Sequence, residues 1–73
     1  MEVKISKDAA LRIIHDRVEQ VRHSTNAEEL ANFEYFAHGA AVAMWELGIF
    51  TKDEHTENYD KIVSVAADKK RHK

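Results

Sequence analysis

Apolar residues recur at helical spacing in three stretches of the chain. The first is Ala10, Leu11, Ile14, Val18 and Val21, one stripe at a period near 3.6. The opposite face carries Arg12, His15, Asp16, Glu19 and His23. Ser6 stands before the stripe as an N-cap, and Asp8 falls in the first turn, where the helix dipole favours an anion. This predicts a helix over Lys7–His23, stopped by Ser24-Thr25-Asn26. A second helix is expected over Ala27–Leu47, with Asn26 as N-cap and Glu29 three residues on. Gly48 follows its last periodic residue and can take the left-handed conformation that ends a helix. A third, shorter helix is expected over Lys52–Ala67, opened by the pair Thr51 and Glu54 and striped by His55, Tyr59, Ile62, Val63 and Ala66. Val3 and Ile5 alternate with polar neighbours but have no strand to pair with, so residues 1–5 read as an extended arm. Residues 68–73 read as a basic, frayed tail.

The second helix is apolar on two sides. A broad face holds Leu30, Phe33, Phe36, Ala37, Ala40, Ala41, Ala43, Met44 and Leu47, suited to the core between the other helices. A second line runs through Tyr35, His38, Val42 and Trp45, spaced +3, +4 and +3, as in a packing seam. A helix in a small three-helix unit normally leaves that side polar. Burying one large apolar side chain contributes roughly 1.5–3 kcal/mol, a large share of the roughly 5–15 kcal/mol that holds a domain folded. The seam is therefore expected to be covered. A second copy in a twofold dimeric helical bundle is the foremost cover, with Gly39 and Ala43 permitting close backbone approach. The arm or tail of the same chain, or a foreign protein, are the other covers. Tyr35, His38, Gly39, Val42, Trp45 and Phe50 form the expected interface, with the aromatic residues as anchors.

Composition narrows the functional classes. The chain has 73 residues, no cysteine, no proline and two glycines. That fits a single helical domain, 1–73, and removes disulfides, thiol catalysis and cysteine-ligated metals. Net charge is −2, so no overall basic footprint marks nucleic acid. The acids concentrate between residues 26 and 60, where eight face a single basic residue, Lys52. They would steer the chain toward a protein partner with a basic surface. No apolar run reaches the length of a membrane span, and the first residues lack a signal-peptide core, so a cytoplasmic protein is the default expectation.

Candidate chemistry is sparse. His15, Glu19 and His23 are spaced i, i+4, i+8 and are the best metal ligands on offer. They lie opposite the core stripe, and neither Glu-x-x-His nor His-Glu-x-x-His occurs. No serine sits in a nucleophile elbow, and no glycine-rich phosphate loop is present. Neither a cofactor nor an enzymatic activity is expected.

The stretch Leu47-Gly48-Ile49-Phe50-Thr51 resembles the turn of a helix-turn-helix over these five residues, with one extra residue before Thr51. The resemblance implies a DNA-associated regulator with the third helix as reader. That helix opens with Asp53, Glu54 and Glu57, which would face phosphates. Any nucleic-acid contact would fall instead to Lys69, Lys70, Arg71 and Lys73. The reading favoured by the residues is a small all-α, non-enzymatic regulatory module, dimeric, recognising protein through an apolar helix face.

Overall fold

Three side-chain caps start three helices. In the computed structural model, which describes residues 5–71, these are α1 (Lys7–Arg22), α2 (Ala27–Glu46) and α3 (Lys52–Arg71). The Ser6 hydroxyl accepts from Ala9 N–H at 3.1 Å, and the Asn26 side chain accepts from Glu29 N–H at 2.8 Å. Thr51 and Glu54 satisfy each other's backbone N–H at 2.9 and 3.2 Å, the reciprocal capping box. At the other end of α2, Gly48 adopts φ 77°. Ile49 N–H then reaches back to Met44 C=O and Gly48 N–H to Trp45 C=O, both at 2.9 Å. These two bonds close a Schellman motif and satisfy carbonyls that the helix end leaves open. α1 ends without a glycine, because the buried Ser24 hydroxyl donates to Val21 C=O at 2.8 Å.

Each helix packs against both others in a unit of 44 × 24 × 16 Å. The chain is thus an all-α three-helix unit. α1 contributes Ala10, Ile14, Val18 and Val21 to the core, and α2 contributes Leu30, Ala37, Ala41 and Met44. α3 adds Ile62 and Ala66, and the connection between α2 and α3 adds Phe50. Four of these eleven residues are alanines, so the helices meet closely through small side chains. Phe50, Ile62 and Val21 are the largest side chains buried completely among the eleven.

Several expectations are corrected. α3 is not the shorter helix: it has 20 residues, as many as α2. Residues 68–71 are helical rather than frayed. No glycine or proline interrupts them, their cations suit the helix C-terminus, and Lys70 pairs with Glu34 of α2 at 3.6 Å. Phe36, Ala43 and Leu47, expected inside, are exposed. Leu30, Ala37, Ala41 and Met44 of the same expected face do turn inward, so the buried stripe of α2 is narrower than the face read from the sequence. Likewise Tyr59 and Val63 lie at the edge of α3, while Asn58, Ile62 and Ala66 point inward. Of the expected arm only Ile5 is described, half-buried against the core; the rest of it lies outside the described residues, as does Lys73 of the basic tail.

Candidate functional site: the outer surface of α2

From Tyr35 to Trp45, eleven consecutive residues of α2 carry no Asp, Glu, Lys or Arg. With Ala37, Ala41 and Met44 turned into the core, the remaining residues distribute around the helix at 100° per position. They make two margins and a crest.

On the α3 margin lie His38 and Trp45. The Trp45 ring stacks on His55 of α3 at 4.5 Å with 12° between planes, and His38 tilts against Tyr59 at 5.0 Å. His38 also faces the Glu34 carboxylate at 3.9 Å. Two of the expected seam residues are thus partly covered by their own chain. Trp45 is still 42% exposed.

On the α1 margin lie Phe36, Ala40 and Leu47. Here Arg17 of α1 joins Tyr35, Phe36, Gly39 and Ala40 around a shallow depression of about 460 Å3. Phe36 is 54% and Leu47 69% exposed. The crest between the margins carries Tyr35, Gly39, Val42 and Ala43. Tyr35 is 76% exposed and meets Phe36 edge to face at 6.4 Å. Among the described residues, no segment of the chain covers this crest.

Phe50 has to be withdrawn from the expected interface. It is 2% exposed and belongs to the core, because the Schellman turn folds Ile49 and Phe50 back under the last turn of α2. Sequence reasoning missed Phe36 and Leu47 as surface residues. Their signal was available: 36, 40, 43 and 47 repeat at +4, +3 and +4, a second seam beside the first.

The other expected sites do not assemble. His23 and His15 each approach a different oxygen of Glu19, at 3.5 and 3.9 Å, and Arg22 takes one of those oxygens at 3.2 Å. The three expected ligands form an exposed ionic ladder in which one carboxylate serves three cationic or polar neighbours. Among the described residues, no three His, Cys, Asp or Glu side chains are grouped to hold a metal ion. No described helix is long and apolar enough to cross a membrane. At the end of α3, Lys70 is engaged by Glu34 and Arg71 by Asp68.

A cleft of about 370 Å3 lies between the α1–α2 connection and the end of α3, lined by Ser24, Asn26, Leu30, Lys69 and Lys70 among others. Of its donors, Ser24 is bonded to Val21 C=O, Thr25 to Glu29, and Lys70 is paired with Glu34. Glu29 accepts from both the N–H and the hydroxyl of Thr25 at 3.0 Å, and those bonds hold its carboxyl below the usual glutamate range. Glu54 is lowered in the same way, first by the Lys7 ammonium at 2.8 Å and then by Thr51 N–H. Both carboxylates are structural caps. No protein-family model, curated protein or solved structure matches this chain.

Proposed function

We propose that this chain is a non-enzymatic protein-recognition module that works by presenting the outer surface of α2. One observation carries the reading. An uncharged stretch of eleven residues exposes Tyr35, Phe36, Val42 and Trp45 together, and Leu47 stands exposed just past Glu46. Most exposed apolar residues are single and carry no meaning, whereas contiguous patches mark interaction sites. Aromatic anchors supply much of the free energy at such sites, and here they stand on a rigid helix, so little side-chain order is lost on binding. The chain would act by occluding or bridging its partner rather than by chemistry.

The test compares capture by the native chain with capture by a Tyr35→Ser, Leu47→Ser double variant. Both positions are open, so helicity by circular dichroism should be unchanged. A partner retained equally by the variant refutes the reading, and a partner lost with helicity intact supports it.

A further inference from the structure

We propose that the occupant of this surface is a second copy of the chain, its α2 crossing the first over Gly39 and Ala43. The inference rests on the docking role just proposed and names its partner.

Size is the first argument. Tyr35, Phe36, Val42 and Leu47, exposed by 76, 54, 39 and 69%, present roughly 400 Å2 of side-chain surface when scaled from fully exposed areas of this class. That lies within the range of the largest functional patches on monomers. Two such patches, with Gly39, Ala43 and a polar rim, reach roughly 1,200 Å2 in total, where stable protein interfaces begin.

Charge is the second. A twofold interface sets a surface against itself, so a patch bearing charges of one sign meets its own sign. The crest from Tyr35 to Val42 carries none. Of the acids near the patch, Glu29 and Glu54 are caps and Glu34 is paired with Lys70. Glu46, exposed one turn beyond Val42, is the single carboxylate at its C-terminal end, too little to mark the patch for a basic foreign partner.

Gly39 is the third. It sits in the middle of a 20-residue helix, where glycine is less favourable than alanine. A Cβ built on it would meet nothing within 4 Å, so packing within the chain does not call for a glycine. A facing helix does, because a missing side chain lets two backbones approach. Ala43, one turn on, extends the same shallow track, with the Tyr35–Phe36 pair as its wall.

Sedimentation equilibrium of the full chain, from low to high micromolar, tests this. The expected species is a dimer of twice 8.4 kDa. Gly39→Leu adds bulk in open space, so helicity should hold while association weakens roughly tenfold or more, as for disruption at the centre of an interface. Ser64→Leu, on the outside of α3, should leave association unchanged. Because the chain has no cysteine of its own, Gly39→Cys should oxidise to a linked dimer and Ser64→Cys should not. A monomer at every concentration overturns self-pairing; if Tyr35→Ser, Leu47→Ser still abolishes capture of a foreign protein, the docking role survives that result. A dimer indifferent to Gly39→Leu and unlinked by Gly39→Cys pairs through another face and overturns the crossing.

Discussion

Truncating Phe50 and truncating Tyr35 should have opposite consequences, although both were expected on one interface. Phe50 is 2% exposed and packs in the core, while Tyr35 is 76% exposed. A buried Phe→Ala change costs about 3–5 kcal/mol in lost transfer energy and residual cavity. A domain of 73 residues holds about 4–11 kcal/mol at the usual stability per residue. Phe50→Ala should therefore remove about a quarter of the stability at least, and up to all of it at the lower bound. Urea titration followed by circular dichroism reads this directly. With a slope of about 1 kcal/mol per molar, the midpoint should fall by roughly 3 M or the variant should be unfolded in buffer. Tyr35→Ala should shift stability by less than about 0.5 kcal/mol at a concentration where the chain is monomeric. Both belong at two protein concentrations, since pairing of folded copies raises the midpoint with concentration. A loss below about 1 kcal/mol for Phe50→Ala, where full burial calls for several, would refute the register of the turn between α2 and α3.

Gly48→Ala should lower the thermal midpoint by about 4–8 °C, the equivalent of about 1 kcal/mol; the space around it is open, so the loss comes from its φ of 77° alone, and an unchanged midpoint would refute the left-handed turn. Asn58→Leu should be neutral or stabilising by up to about 1 kcal/mol in the same urea titration, because the buried Asn58 Nδ2 has no hydrogen-bond partner; a loss above that would show a bond to it. Glu29 and Glu54 are held low in the folded chain by Thr25 and by Lys7 with Thr51. A depressed carboxylate contributes stability that is present above its unfolded value, about 4.3, and is lost as pH falls through the folded one. Helicity should therefore fall below that pH, and Glu54→Gln should flatten part of the acid limb. His55→Ala should move Trp45 emission to the red by removing the ring stacked on it at 4.5 Å; an unmoved spectrum would deny the stack.

Caps and stops were legible in the sequence because they are local. Ser6, Asn26 and Thr51 each lie within three residues of the N–H they satisfy, and Gly48 is one of two residues in the chain able to take positive φ without strain. Those signals place the helix starts at Lys7, Ala27 and Lys52, as observed. Rotation of each helix about its axis is not local. On α2 the apolar face is broader than the helix buries, and the sequence places Phe36 and Leu47 on it beside Ala37 and Ala41. The bundle buries Ala37 and Ala41 and leaves Phe36 and Leu47 exposed, a rotation set by how α1 and α3 pack and not by the residues of α2 alone. The end of α3 was misread for a similar reason. A run of Lys69, Lys70 and Arg71 reads as solvated, and only the fold brings Glu34 within 3.6 Å of Lys70.

The alanine core and the apolar surface have one cause. Ala10, Ala37, Ala41 and Ala66 supply four of the eleven core positions, and small side chains at a contact let helices approach closely. Tyr35, Phe36, Val42 and Leu47 then stand on the outer half of α2, where a wider bundle could have taken Phe36 and Leu47 inside. Replacing Ala37 and Ala41 by leucine would not repair this, since overpacking a tight contact costs about 1–3 kcal/mol by forcing the helices apart. The outward face is thus tied to the way the chain folds. A second helix laid over Gly39 would supply the neighbour that α1 and α3 leave out, and α2 would become a central helix on every side.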